Sequence, residues 1–265
     1  MKFHFLISLL IASSLYGNVK NDDITQHKKI NALYTTTGVS LLAFQFVGIP
    51  LLDIAINYRE LPELTNPFRH VFEKEPFIED ELWHFVGAAS FTDLNYYLFK
   101  HLLNSEHPLI LSGITSFSFW TGMECVDAIM GNGFSLLDET GNIAGIAFGL
   151  LLLKYPDFPF RVRIGVKNWN EFLRATSRIA SSGLHGEIGS QYNYMKVEFV
   201  YLFPSSLYSG LAVSRKDRKQ NQFGITSGFD LIDWLVKKKN GWWNFPLKLF
   251  DNHFSVNLEL TIWLN

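Results

Sequence analysis

His84, Glu124, Asp127, Asp138 and Asn142 place an imidazole, three carboxylates and an amide in some of the most apolar stretches of the chain. Burying an ionised group without partners is expensive, so packing alone does not account for them. Asp80 and His84 stand four residues apart, and Glu124 and Asp127 three apart, spacings that put each pair on one helical face. Asp138, Asn142, Gly145 and Gly149, at offsets of 0, 4, 7 and 11, share a third face. Three helices can therefore aim a histidine, carboxylates and an amide at one pocket, with Trp83, Phe85, Trp120, Met123 and Phe134 excluding water. Such surroundings suit a carboxyl group to general acid or base work near neutral pH.

Plainer roles compete with chemistry at each position. Ser135 followed by Asp138 resembles a capping box. Asp80 suits the first turn of a helix, and a single histidine such as His84 also serves as a satisfied core residue. Glu124 and Asp127 are harder to explain this way, because their helix is otherwise apolar. A structural polar network locking the helices together is the alternative to catalysis. One histidine with several carboxylates would suit a hard or mixed-ligand ion. No HExxH or EF-hand loop accompanies them, so the metal stays open, and no residue is assigned to a cofactor.

The elements that must position these groups are helical. An apolar helix is expected over 30–56, with Gly48 and Pro50 kinking or breaking it. A charged loop over 58–76 follows, then helices over 79–103 and 109–130, the second opened by Pro108 and stopped by Gly131, Asn132 and Gly133. A helix over 136–154 carries Gly141, Gly145 and Gly149, a flat stripe that admits a neighbouring backbone. After 155–159 the pattern changes to alternating apolar and polar residues, with strands expected over 194–203, 208–214, 223–228 and 254–264. Residues 215–220 read as a charged hairpin connection, and 168–181 and 230–237 as short amphipathic helices. The fold class is α+β: an N-terminal bundle of about four helices, apolar enough to embed in a membrane, then a C-terminal antiparallel sheet or partial barrel. The expected divisions are a signal peptide over 1–17, a helical domain over 27–157 and a β-rich domain over 158–265.

The segments Asp80-Glu81-Leu82-Trp83-His84-Phe85, Gly122-Met123-Glu124-Cys125-Val126-Asp127 and Gly131-Asn132-Gly133-Phe134-Ser135, with Asp138, Asn142 and Gly145, resemble the YfiM-like family of predicted periplasmic lipoproteins. More distantly, they resemble VanZ-like membrane proteins. The resemblance covers about 77–153. It implies an envelope location and a common polar site at His84, Glu124, Asp127, Asp138 and Asn142. The YfiM-like domain has no assigned function, so no reaction comes with it. Glu81 stands where that family often has lysine, and no lipobox cysteine follows the N-terminal apolar run.

Composition narrows the setting. The chain has 265 residues and a formal net charge of −2, with no strongly basic domain, which removes the electrostatic argument for nucleic acid. Phenylalanine is abundant, at 24 residues. Cys125 is the single cysteine, so neither an internal disulfide nor a cysteine zinc cage is available; it is expected to be a small buried hydrophobe. Lys2, the apolar run 5–12 and small residues near Gly17 read as a secretory signal. Export to the periplasm or outer membrane is expected, with an uncleaved inner-membrane anchor as the alternative. The expected partner is membrane or envelope lipid, with Trp242 and Trp243 beside the lysine run suiting an interface; a protein partner stays open. The first functional expectation is a structural or binding role at the membrane; the alternative is a hydrolase-like envelope enzyme using His84, Glu124 and Asp127. A closed outer-membrane barrel would require more strands than one chain shows.

Overall fold

In a computed structural model the described residues are 24–51, 78–130, 134–167, 174, 194–217, 220–238, 252–253 and 257–264. The expected signal peptide, the loop over 58–76, the stop at Gly131, Asn132 and Gly133, the helix over 168–181 apart from Arg174, Trp242 and Trp243 lie outside them. So does the side chain of Asp80.

α1 (Ile24–Ala43) runs into a π-helical turn, Phe44–Gly48, and the helix resumes through Leu51. Pro50 has no N–H for the carbonyl of Phe46, and its ring crowds that carbonyl. The expected break is therefore taken up as a π-bulge within a continuous helix. α2 (Ile78–Tyr97) continues likewise through a π-helical turn at Leu98–Leu102. α3 (Pro108–Ile129) opens on proline, whose missing N–H is an orphan of the first turn in any case. α4 (Leu136–Lys154) starts at Ser135, whose Oγ accepts from the N–H of Asp138 at 3.2 Å.

The glycine stripe of α4 decides how α2 sits. A Cβ at Gly141 would stand 2.7 Å from the carbonyl oxygen of Glu81, and one at Gly149 2.9 Å from that of Ala89. One at Gly145 would fall on the carbonyl oxygen of Phe85. Glu81, Phe85 and Ala89 repeat the four-residue spacing of the glycines, so two matching rows lie backbone against backbone. His84, between Glu81 and Phe85, is thereby held next to Asn142.

On α3 and α4, much of the exposed surface is apolar while polar groups are buried beside Phe119, Ile146 and Leu152, unlike the helices of a water-soluble bundle. On α3, Ile110, Ile114, Phe117 and Ile129 are exposed while Ser112, Ser116 and Glu124 are buried. On α4, Leu136, Leu137 and Ile143 are exposed while Asp138, Glu139 and Asn142 are buried. Cys125 belongs to the exposed face of α3, not to the core expected of it. It lies one residue round the helix from inward-facing Glu124 and four before Ile129.

Five antiparallel strands follow in sequential order: β1 (Phe160–Val166), β2 (Met195–Leu202), β3 (Leu207–Asp217), β4 (Gln220–Asp230) and β5 (Asn257–Leu264). β1 is an addition to the strands expected from the sequence. The β3–β4 ladder continues through Arg215↔Asn221 to Asp217↔Gln220 with a bulge. The connection expected over 215–220 thus shrinks to the two positions after Asp217. α5 (Leu231–Lys238) follows β4 directly.

Register sorts the two faces of this sheet. The row Val162, Phe199, Leu211, Ile225, Ile262 is apolar across all five strands, as is Ile164, Val197, Val213, Phe223, Leu264. Val162 and Val197 bury against Val86 of α2, with Phe85 and Phe148 beside them. Phe199, Leu211, Ile225 and Ile262 are exposed. The opposite face carries Arg163, Lys196, Glu198, Tyr208 and Thr226, all buried.

Lys196 Nζ on β2 reaches Thr261 Oγ1 on β5 at 2.8 Å and pairs with Glu259. Flat strands three places apart would stand about 14 Å from each other, so the sheet curls with its polar face concave. Gly210, Ala212 and Gly224 between them leave the room. Burial and the nearby charge of Glu198 raise the pKa of Glu259, against the opposing influence of Lys196.

Candidate functional site between three helices

The structure brings His84 of α2, Glu124 of α3 and Asp138 and Asn142 of α4 into one pocket. His84 Nδ1 lies 3.1 Å from Asn142 Oδ1 and 3.5 Å from Glu124 Oε1, and His84 Nε2 lies 4.0 Å from Asp138 Oδ2. One donor atom each from His84, Glu124 and Asp138 lies within 4.8 Å of the others. Trp120 packs edge-on to the imidazole with ring centroids 5.6 Å apart, as the sequence anticipated for the pocket wall. Asp127 does not join the trio; it stands half-buried one turn beyond Glu124, close enough for their like charges to interact.

Asp138 does more than cap its helix. In a capping box the acidic side chain would take the backbone N–H of Ser135. That N–H is bonded instead by Glu124 from the neighbouring helix. The Asp138 carboxylate is left facing His84, with Oδ1 buried and without a hydrogen bond among the described residues. Half of the capping box is therefore present, and its acid serves the pocket.

Behind these groups runs a chain of oriented hydrogen bonds. Thr121 Oγ1 donates to Glu139 Oε1 at 2.6 Å, and Asn142 Nδ2 donates to Glu139 Oε2 at 3.3 Å. With its amide nitrogen thus engaged, Asn142 turns its oxygen to His84. An oxygen can only accept, so the neutral imidazole carries its proton on Nδ1 and leaves the Nε2 lone pair toward Asp138. Thr121 and Glu139 were not picked out from the sequence. Their signal was present, since each precedes a candidate (Glu124 and Asn142) by three residues.

The charge balance is one-sided. Glu124 is 2 % exposed, Glu139 7 % and Asp138 9 %. No lysine or arginine among the described residues pairs with any of them. His84 and the Ser135 N–H offset the negative charge of Glu124, and Thr121 and Asn142 donate to Glu139. The pocket can thus orient an imidazole, hold a proton between carboxylates, or take up a cation.

A second buried polar group, also missed in the sequence, joins the two halves of the chain. His253 Nε2 and Asn252 Nδ2 each lie 2.9 Å from Asp93 Oδ2 of α2, and both Asp93 and His253 are fully buried. No spacing rule links residues 160 positions apart. Two partners with one carboxylate make this a fastening of the C-terminal segment to the bundle.

Comparison of the chain with protein-family models, with curated proteins and with solved structures gave no match. The YfiM-like resemblance therefore rests on the motif residues themselves, several of which meet in this pocket.

Proposed function

We propose that the chain is a cell-envelope protein with a structural or binding role, its helical half embedded in a membrane around the polar pocket. The inverted helices carry this reading: apolar side chains face outward and carboxylates, hydroxyls and amides face inward, the distribution that lipid demands. Three segments, Asn31–Leu51, Pro108–Ile129 and Leu136–Lys154, are long and apolar enough to cross a membrane. The sheet's convex face adds apolar surface beside α2. Among the described residues, nothing pairs with the outer edges of β1 and β5. Unsatisfied backbone groups cost several kcal/mol each in hydrocarbon, so the helices, and not the sheet, form the embedded part. Export and the YfiM-like kinship belong to the same proposal.

Membranes bearing the full chain are expected to retain it through carbonate and high-salt washes and to release it with detergent. Cys125 offers an independent probe: a polar maleimide is expected to label it after detergent denaturation but not in intact membranes. Release by carbonate, or ready labelling in intact membranes, would overturn the embedded arrangement.

The His84 imidazole, held between two carboxylates, favours a second reading, an envelope hydrolase with His84 or Glu124 as base. Under it, Glu124→Ala remains abundant and membrane-bound yet fails to complement cells lacking the chain. Degradation of the variant argues instead for a structural network.

A further inference from the structure

We propose that His84, Glu124 and Asp138 form a binding site for a transition-metal dication. One nitrogen and two carboxylate donors from three different helices lie within 4.8 Å of one another. Bonds of about 2.0–2.2 Å to zinc place donor pairs about 3–4 Å apart, so small side-chain shifts seat all three on one ion. The 4.0 Å between His84 Nε2 and Asp138 Oδ2 already lies in that range.

Two further observations point to a ligand. Asp138 is buried, and while its Oδ2 faces His84, its Oδ1 is shut off from solvent with no hydrogen-bond partner among the described residues. The imidazole is also supported from behind as metal-binding histidines are. Its Nδ1–H is held by Asn142 Oδ1 at 3.1 Å, and Asn142 is held by Glu139, which Thr121 fixes in turn. In the neutral imidazole that relay puts the proton on Nδ1 and the lone pair on Nε2.

Charge explains why a cation is the ligand class. Glu124, Asp138 and Glu139 are buried together with a single imidazole, and no lysine or arginine among the described residues pairs with them, an excess of negative charge that a dication neutralises. One imidazole with two carboxylates is a mixed N/O donor set suited to zinc or manganese, and water would complete the coordination.

The test uses the full chain purified in detergent, stripped with a chelator, desalted and titrated with Zn²⁺ or Mn²⁺ against a chromogenic competitor. About one ion per chain is expected. Asp138→Asn is expected to weaken binding at least tenfold, and Asn142→Ala by about 10–100-fold through the relay. Asp93→Asn, at the buried carboxylate that holds His253, is expected to leave metal affinity unchanged. If Asp138→Asn does not yield folded protein, Glu124→Gln carries the same comparison. Absence of stoichiometric binding by the wild-type chain, or equal binding by wild type and a folded pocket variant, overturns the site. Neither result depends on the protein's being membrane-embedded.

Discussion

Gly145→Leu is expected to prevent α2 from docking on α4 and so to dismantle the pocket. At this point the two backbones touch: even a single Cβ would fall on the carbonyl oxygen of Phe85. A backbone atom cannot swing aside as a side-chain tip can, so the helices must separate along the whole stripe. Overpacking a core typically costs about 1–3 kcal/mol; with backbone as the obstacle, the loss should sit at or above the top of that range. His84 would then part from Asn142, because the α2–α4 contact is what holds them at 3.1 Å. Gly122 supplies the control. It lies on the exposed face of α3 with nothing within 4 Å of an added Cβ, so Gly122→Ala should be neutral or gain up to about 1 kcal/mol of helix propensity. Thermal unfolding and protease resistance of the two variants in detergent check the pair. Wild-type behaviour of Gly145→Leu would mean that the glycine stripe is not a helix contact.

The second large effect belongs to Asp230. One of its oxygens pairs with Arg163, which is fully buried and lies over the Tyr208 ring at 4.8 Å. The other accepts the N–H groups of Ile232 and Asp233 at 3.0 and 2.9 Å, capping α5. Asp230→Ala therefore takes away the carboxylate that Arg163 pairs with and removes a helix cap. Breaking a buried pair from one side costs about 3–5 kcal/mol, and a lost cap about 1 kcal/mol. Denaturant unfolding should show a loss of about 4 kcal/mol or failure of the sheet to accumulate. Asp230→Asn keeps the cap geometry but not the charge, so it should fall between the two. An Asp230→Ala protein of wild-type stability would show that this pair and cap do not hold the sheet together.

Local patterns in the sequence carried much of the architecture. Pro108 at a first helical turn, Ser135 as a cap and the change of periodicity after Lys154 are signals that act within a few residues, and the structure follows them closely. The glycine row at 141, 145 and 149 is equally local, and it correctly implied a close helix contact. β1 escaped because Arg161 and Arg163 suggest a solvated segment, although its alternation is regular. Those arginines are buried instead, on the concave face of a curled sheet. Its polar interior depends on the curl that lets Lys196 of β2 reach Glu259 and Thr261 of β5, which no window along the chain can reveal.

The pocket divides along the same line. Helical spacing alone put Asp138 with Asn142, and the cost of burying charge alone marked Glu124 as needing a partner. It did not say that Glu124 takes the Ser135 N–H and so frees Asp138 to face His84, nor that Asp127 stands a turn away. Those outcomes depend on how α3 is set against α4, a matter of rotation and depth decided by packing between helices. His253 on Asp93 is the extreme case, since the two are 160 residues apart and meet only in the folded chain. Sequence by itself determined the helices, their glycine contact row and the burial of Glu124, Asp138 and Asn142, because periodicity and desolvation act locally. Only the tertiary structure decided which of them meet, because hydrogen bonds and charge pairing act over a few ångströms between segments the chain holds far apart.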